Sequence, residues 1–279
     1  AMGDNSAYVE QLGQAARRAS RQLAELTGAR KVAALQRVAL AIRENRARLI
    51  EANAADLKAA ADAGTATPLL KRLELNDKRI AAMADAVEQI AAQVDPVGQV
   101  IEGYVRPNGL RIQKVRVPLG VILFIYESRP NVTSDAAALC IKSGNAIILR
   151  GGKEAFHSNR AIAAIIADGL SAADIDPAAV QLVESTDRAL VTQLLKLDRY
   201  IDIVIPRGGE GLIRAVVQDA TMPVLKHFTG NCHVYVDEHA TGMEKQVRDI
   251  CLNAKTSYPG GAVCNAVEHI LFHKAAAAS

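Results

Sequence analysis

The chain has 279 residues, of which 50% are hydrophobic and 23% are charged. This length and composition predict about two globular domains with substantial cores and exclude an intrinsically disordered protein. The 33 basic and 30 acidic residues leave a formal net charge of +3, which argues against nucleic acid or a membrane surface as the main partner. No apolar run approaches the roughly 20 residues of a membrane helix, and no signal-peptide pattern is present, so we expect a cytoplasmic protein.

The four cysteines show no CxxC pair and no short disulfide framework, as is typical of a reducing compartment. They stand at positions 140, 232, 251 and 264. The sequences around Cys140 and Cys251 are those of core thiols. His269 and His273 are expected on one strand, half-buried and too far apart to share a metal ion. We therefore predict no metal site.

The segment from Asn5 to about Gln93 is rich in Ala, Leu, Arg and Glu, with apolar residues at helical spacing. It predicts a helical N-terminal lobe. We interpret residues 1–3, Ala-Met-Gly, as an expression remnant. After the lobe, Pro107-Asn108-Gly109 separates two strand-like runs, and Asn-Gly in that position is a strong hairpin signal. We predict a projecting hairpin arm over 97–117 that serves as a subunit contact, and hence a homo-oligomer.

Strand-like and helix-like segments then alternate along the chain. The predicted strands cover 120–126, 146–149, 180–183, 201–205, 232–237 and 266–272, and the predicted helices cover 131–142, 155–170, 189–195, 211–217 and 243–253. This order is typical of a mostly parallel sheet with helices on both faces. We predict an open α/β domain of the Rossmann type over 4–237, which includes the helical lobe and the arm, and the start of a second α/β domain over 238–279.

Two segments place Arg-Gly-Gly after a predicted strand and before a helix. They are Arg150-Gly151-Gly152, with Lys153 next, and Arg207-Gly208-Gly209, with Pro206 before it. Glycine lets a phosphate approach the backbone, and the N–H groups and dipole of the helix attract anions. Either segment alone could be only a tight turn, whereas the pair favours a dinucleotide crevice. The G-x-G-x-x-G fingerprint of ordinary Rossmann dehydrogenases is absent.

Lysines near these segments bear on the choice of dinucleotide. Lys142 and Lys153 are in a position to meet the additional ribose phosphate of NADP, which favours NADP over NAD. We include Ser143, Gly144 and Asn145, which follow Lys142, in the predicted cofactor site.

Cys264 lies in the glycine-rich segment 258–266, ahead of an apolar strand. A thiol in such a loop can be exposed, with its thiolate stabilised by backbone N–H groups, as covalent catalysis requires. The alternative is a structural cysteine.

Five ordered segments together resemble the gamma-glutamyl phosphate reductase family of the aldehyde dehydrogenase superfamily. They are Tyr126 to Thr133, Lys142 to Ala146, Ile205 to Gly209, Gly230 to Asp237 and Val263 to Glu268. The resemblance implies an aldehyde dehydrogenase-like fold and the NADPH-dependent reduction of L-glutamyl 5-phosphate to L-glutamate 5-semialdehyde, the second step of proline biosynthesis. Members of that family continue beyond the point where this chain stops, so we expect an incomplete second domain.

The resemblance also implies roles for individual residues. Cys264 matches the nucleophile, and Asn131 matches the asparagine that helps to bind the oxyanion, with the Cys264 N–H as a second donor. Arg129 is a candidate for contact with a substrate carboxylate or phosphate, although a salt bridge within the fold is as plausible. Asn265, beside the nucleophile, is counted as substrate-binding.

Hydrolytic aldehyde dehydrogenases carry a glutamate base that has no counterpart in the segment from Lys226 to Gly230. Phosphate, not water, is therefore the expected acyl acceptor in the reverse reaction. The labile acyl phosphate makes glutamate 5-kinase a candidate partner. Two alternatives stay open: a catalytically incomplete nucleotide-binding module, and a reductase of another acyl phosphate such as aspartyl or N-acetylglutamyl phosphate.

Overall fold

The computed structural model describes residues 2–127, 129–227, 230–257 and 263–278. The chain divides into two compact units, Ala1–Lys226 and His227–Ser279. This division falls ahead of the predicted domain boundary at residue 237, so the strand that begins at Cys232 lies in the second unit. Among the described residues, no helix combines the length and the apolarity needed to cross a membrane.

Five helices open the first unit, as the apolar spacing predicts. They are α1 (Met2–Glu25), α2 (Gly28–Glu44), α3 (Arg46–Asp62), α4 (Thr67–Leu73) and α5 (Asp77–Ala92). Local capping explains two of the starts, because the Thr27 and Asn76 side chains accept hydrogen bonds from the N–H groups three residues later. The apolar face of α2, with Leu35, Val38 and Ile42 fully or almost fully buried, packs into the main core.

The predicted hairpin is present. Strand β1 (Val100–Val105) pairs in antiparallel fashion with β2 (Arg111–Val115), and Gly109 takes the positive φ of 86° in the turn. Every residue of the two strands except Ile112 is exposed. The role of this arm as a subunit contact stays a prediction.

A four-stranded parallel sheet forms the centre of the first unit. Its strands are β3 (Val121–Tyr126), β4 (Ala146–Arg150), β5 (Val180–Leu182) and β6 (Ile203–Arg207), in the spatial order β5-β4-β3-β6. The helices that follow them are α6 (Asn131–Lys142), α7 (Phe156–Ser171), α8 (Arg188–Leu194) and α9 (Glu210–Asp219). Strands β3 and β4 are buried along almost their whole length, which requires cover on both faces of the sheet. The predicted open α/β architecture is confirmed.

The register of the sheet brings the two Arg-Gly-Gly turns to one edge. Ile125 on the inner strand β3 pairs with Arg150 on β4, and Tyr126 pairs with Arg207 on β6. Parallel strands end at the same edge, so both turns leave the sheet on either side of the end of β3.

The second unit contains β7 (Cys232–Val236), α10 (Glu244–Thr256) and β8 (Val267–Phe272). The two strands pair in parallel.

Candidate functional site

A cleft of about 520 Å³ opens at the carboxyl edge of the central sheet. It is lined by residues that follow β3 and β4 and by residues of α8 and α9. Its charged side chains are Glu127, Arg150, Lys153, Glu154, Arg188 and Asp219. Sequence reasoning identified Arg150 and Lys153 but missed the three acidic residues and Arg188.

Arg150 is held at the first turn by two backbone carbonyls. Its Nη1 donates to the Gly151 carbonyl oxygen and its Nη2 to the Thr186 carbonyl oxygen, both over 3.1 Å. The Nε is buried and has no hydrogen-bond partner in the described part of the chain. Burial lowers the pKa of Arg150, although the neighbouring Glu154 carboxylate acts in the opposite direction. The two bonds engage two of the five N–H donors of the guanidinium, so donors remain for an anionic ligand.

The turns use glycine where a side chain would close the backbone off. A Cβ on Gly152 would lie 2.3 Å from the Glu154 Oε2, and a Cβ on Gly208 would lie 2.7 Å from the Glu127 carboxyl group. Such distances are shorter than non-bonded atoms allow. The Glu154 and Glu127 carboxylates fill the space beside these glycines, and both are the ends of flexible side chains, so a phosphate can approach the backbone once they move aside.

At the second turn, Gly209 forms the start of α9 and provides no side-chain cap. Its N–H donates instead to the Glu127 Oε2 over 3.3 Å. Arg207 is exposed, whereas Pro206 is buried within β6. Proline is tolerated there because β6 is an outer strand of the described sheet.

Residues 142–145 were predicted to join this cofactor site, and the structure corrects that prediction. They connect the end of α6 to the start of β4, so they lie at the amino edge of the sheet, opposite the cleft. Lys142 is 4% exposed and donates through Nζ to the Ala91 carbonyl oxygen over 2.7 Å. The Asn145 Oδ1 accepts from the N–H groups of Leu119 and Gly120. The segment that includes Ser143 and Gly144 thus belongs to the scaffold.

Asn131 is the first residue of α6 and is half-buried. Its Nδ2 donates to the Asp135 carboxylate over 3.0 Å. Burial raises the pKa of Asp135, and the Asn131 hydrogen bond offsets this in part. The bond fixes the orientation of the Asn131 amide on the first turn of the helix.

A buried hydrogen-bond chain supports the same region. The hydroxyl groups of Tyr126 and Thr133 lie 2.6 Å apart, and the Thr133 hydroxyl donates to the Asn159 Oδ1 over 2.9 Å. Burial raises the pKa of Tyr126, which keeps the phenol protonated. The chain ties β3, α6 and α7 together behind the cleft.

Arg129 is exposed and lies just ahead of α6. Its carbonyl oxygen accepts a hydrogen bond from the Val132 N–H. No ion pair of its guanidinium is found among the described residues, so the salt-bridge alternative gains no support. Contact with substrate stays a prediction for Arg129.

In the second unit, Cys264 is exposed and lies in a turn that precedes β8. The Ala266 N–H closes this turn on the Val263 carbonyl oxygen over 3.0 Å. The Cys232 thiol donates to the Cys264 carbonyl oxygen over 3.3 Å, a contact that sequence reasoning missed. Asn265 is exposed beside it. The glycine-rich segment 258–262 lies outside the described residues.

Of the predictions for the other cysteines and histidines, the structure confirms one for Cys140 and contradicts one for His269. Cys140 is buried, and burial raises its pKa to about 12, which confirms an inert core thiol. Cys251 is only half-buried. His269 is exposed, not half-buried as predicted; its Nδ1 lies 2.8 Å from the Asn231 Oδ1, and its ring stacks on that of His233.

Ser128 and the pair at 228–229 lie outside the described residues. The predicted absence of a glutamate base over 226–230 therefore rests on the sequence. Within the described residues, no group of three or more His, Cys, Asp or Glu is arranged to hold a metal ion.

Sequence comparison relates the whole chain to one family. The profile of the aldehyde dehydrogenase family matches residues 2–279. The gamma-glutamyl phosphate reductase of Nitratidesulfovibrio vulgaris is 50% identical over 274 residues, which cover 98% of this chain and 64% of the relative. That of Moorella thermoacetica is 51% identical over 271 residues, 97% of this chain and 64% of the relative. The chain thus spans less than two thirds of the length of these relatives.

Solved structures agree. The gamma-glutamyl phosphate reductase of Thermotoga maritima superposes with a TM-score of 0.86 at 44% identity, over 95% of this chain and 63% of that one. That of Saccharomyces cerevisiae superposes with a TM-score of 0.73 at 35% identity, over 96% and 66%. The chain belongs to the aldehyde dehydrogenase family.

Proposed function

We propose that the protein carries out the NADPH-dependent reduction of L-glutamyl 5-phosphate to L-glutamate 5-semialdehyde and phosphate. The observation that carries this proposal is the 50% identity to a gamma-glutamyl phosphate reductase, sustained over 98% of the chain. The proposal concerns the activity of the whole protein, and the related enzymes are longer than this chain.

The cleft suits a nicotinamide dinucleotide. Gly208 is exposed after β6, the first turn leaves β4 on the other side of β3, and the Arg150 guanidinium has N–H donors that its two carbonyl contacts do not use. Lys153 and Arg188 offset the carboxylates of the cleft lining, and each is a cation of the kind that the ribose phosphate of NADP needs as a partner, which supports NADP over NAD. When bound, the reduced dinucleotide supplies the hydride of the reaction.

Cys264 is the proposed nucleophile. Its thiolate attacks the acyl carbon of the substrate, a C–S bond forms, and the C–O bond to phosphate breaks as phosphate leaves with its electron pair. The resulting thioester accepts hydride at the same carbon. Collapse of the oxyanion then breaks the C–S bond, releases the aldehyde and regenerates the Cys264 thiolate. The exposure of Cys264 in a short turn supports this role, since the reacting thiol must be accessible.

Asn131 is proposed as an oxyanion donor on the strength of the resemblance. A side-chain amide carries two N–H donors. The Asp135 contact engages one of them and holds the group in a single orientation, which supports use of the other on a substrate oxygen. Arg129 and Asn265 are proposed as substrate-binding residues on the same basis.

An acyl phosphate is short-lived in water, which supports direct transfer from glutamate 5-kinase. A homo-oligomer built through the hairpin arm and a cytoplasmic location also remain predictions.

The deciding experiment measures NADP⁺ reduction with L-glutamate 5-semialdehyde, with and without inorganic phosphate. We expect phosphate-dependent formation of NADPH, loss of it in Cys264→Ser, and retention in the matched control Cys251→Ser, a half-buried thiol of the same unit. Turnover that ignores phosphate, or that survives Cys264→Ser, would contradict the proposed chemistry. Dinucleotide binding without turnover would favour a nucleotide-binding module.

A further inference from the structure

Glu127 occupies a central place at the carboxyl edge of the sheet. It follows the last residue of β3, and β3 lies between β4 and β6, the strands that carry the two Arg-Gly-Gly turns. The pairings of Ile125 with Arg150 and of Tyr126 with Arg207 bring both turns level with this residue. Glu127 also lines the cleft. A carboxylate thus lies at the point where the dinucleotide phosphates are expected.

The Glu127 carboxylate makes the contact that a phosphate would make. Its Oε2 accepts the Gly209 N–H over 3.3 Å, at the start of the ten-residue helix α9. Its carboxyl group also fills the hollow at Gly208, where a Cβ would lie only 2.7 Å away. An anion at the N-terminus of a helix is favoured by the exposed N–H groups and by the helix dipole. Glu127, which follows strand β3, therefore caps the N-terminus of helix α9.

This contact is weakly anchored. In the described part of the chain, the Gly209 N–H is the only hydrogen-bond partner of the Glu127 side chain, and no cation lies within ion-pairing distance of it. The Arg150 guanidinium is tied to two backbone carbonyls, and the Glu127 charge acts on it only from beyond ion-pairing distance. Moving the Glu127 side chain would break one long hydrogen bond and no salt bridge, so a stronger anionic ligand can displace it.

We propose that Glu127 is a built-in competitor of the cofactor pyrophosphate: it occupies the Gly209 N–H in the free protein and must be displaced when a dinucleotide binds. The inference rests on the proposed dinucleotide cleft and specifies how that cleft is regulated. Because the carboxylate and the pyrophosphate carry the same sign of charge and share one donor, Glu127 weakens dinucleotide binding and favours release of the cofactor after each reaction.

The test compares Glu127→Gln with the wild-type chain by isothermal titration calorimetry. Glutamine keeps the size of the side chain and an oxygen for the Gly209 N–H, but it removes the charge. We expect ADP-ribose, which contains the pyrophosphate, to bind Glu127→Gln more tightly by on the order of fivefold. Adenosine 2′-phosphate, which lacks a pyrophosphate, should bind both proteins alike. Glu102→Gln on the exposed strand β1 is the matched charge control and should leave both affinities unchanged.

Several results would overturn the inference. Equal or weaker binding of ADP-ribose by Glu127→Gln would mean that the carboxylate does not compete, and tightening that extends to adenosine 2′-phosphate or to Glu102→Gln would mean a general charge effect. Failure of both the wild type and Glu127→Gln to bind ADP-ribose would remove the proposed cofactor cleft, and this inference with it. Binding by the wild type with no gain in the variant would remove only the competitor role. Equal melting temperatures of the variant and the wild type would exclude a folding defect.

Discussion

The Cys232 thiol lies 3.3 Å from the Cys264 carbonyl oxygen and donates a hydrogen bond to it. The contact joins the first residue of β7 to the turn before β8, so it fixes the peptide group of the proposed nucleophile. A thiol is a weak donor. The bond matters for positioning, because the reacting sulfur belongs to Cys264, the residue whose carbonyl group the bond holds.

Replacing Cys232 should therefore impair turnover without abolishing it. We expect Cys232→Ala to lower kcat by roughly threefold to tenfold with little change in KM, since one hydrogen bond of about 1 kcal/mol is lost from a positioning contact. Cys232→Ser keeps a hydroxyl donor and should retain most of the activity. Steady-state kinetics of the phosphate-dependent reaction would measure both variants. Identical kinetics of Cys232→Ala and the wild type would show that the contact has no part in positioning Cys264.

Gly230 supports the same turn through its lack of a side chain. A Cβ at this position would lie 2.5 Å from the Cys264 carbonyl oxygen, a backbone atom that cannot rotate away. We expect Gly230→Ala to destabilise the second unit by about 1–3 kcal/mol. Hydrogen exchange of the amides of β7 and β8 would report the loss locally. Gly211→Ala is the control, because an added Cβ there meets nothing within 4 Å and lies within helix α9. Unchanged exchange in Gly230→Ala would contradict the expected clash.

Much of the fold follows from local patterns. Helix α6 begins at Asn131 and ends at Lys142, as predicted, because Pro130 precedes an apolar periodic run and Gly144 takes a positive φ after it. The strand β3 and the hairpin follow equally directly from a buried apolar run and from an Asn-Gly turn. Strand β6 extends through Pro206 because an outer strand has a side that needs no N–H donor.

The candidate site was predictable only in part. Both Arg-Gly-Gly turns could be identified because a strand-to-helix loop in a parallel sheet always lies at the carboxyl edge. The same rule places the helix-to-strand loop at 142–145 at the opposite edge, so the basic residue Lys142 was misleading as a phosphate ligand. Arg188 and Cys232 carry no local signal of function, since each becomes relevant through a neighbour that is distant in sequence.

The buried Lys142 lies in a charged cluster with the buried Lys31 and the half-buried Asp95. The fully buried Lys31 lies 2.6 Å from the Asp95 carboxylate, and the Lys142 Nζ bonds the nearby Ala91 carbonyl oxygen. Burial alone would raise the pKa of Asp95, but the Lys31 hydrogen bond, the Val97 N–H and the charges of the two lysines outweigh it and lower the pKa.

A lowered folded-state pKa means that Asp95 stabilises the fold above its unfolded pKa, about 3.9, and that this contribution is lost as the pH falls through the folded value. We expect Asp95→Asn to destabilise the protein by about 3 kcal/mol at pH 7, because Lys31 is left buried without a carboxylate. The variant should also lose less stability than the wild type on acidification below about pH 4.

Asp85→Asn, which removes an exposed ion pair with Arg43, should change the stability by less than about 1 kcal/mol. Chemical denaturation at several pH values would measure all three proteins, and equal stability of Asp95→Asn and Asp85→Asn would contradict the argument.

Arg188 offers a test of cofactor preference. It is the first residue of α8, it lines the cleft, and its charge lowers the pKa of the neighbouring Arg150, after burial as the main cause. The Arg188 and Arg150 guanidinium groups repel each other in the free protein, and a dianionic ribose phosphate would relieve that repulsion. We expect Arg188→Ala to weaken binding of NADP⁺ by about tenfold to a hundredfold while changing NAD⁺ binding little, since one charge-assisted contact accounts for about 1.5–3 kcal/mol. Fluorescence titration with each dinucleotide would give the ratio of the two dissociation constants.

Arg111→Ala on the exposed hairpin strand β2 removes the same charge away from the cleft and should leave the ratio unchanged. An equal loss of affinity for NAD⁺ and NADP⁺ in Arg188→Ala would assign the residue to the shared pyrophosphate, and the preference for NADP would then have to come from Lys153.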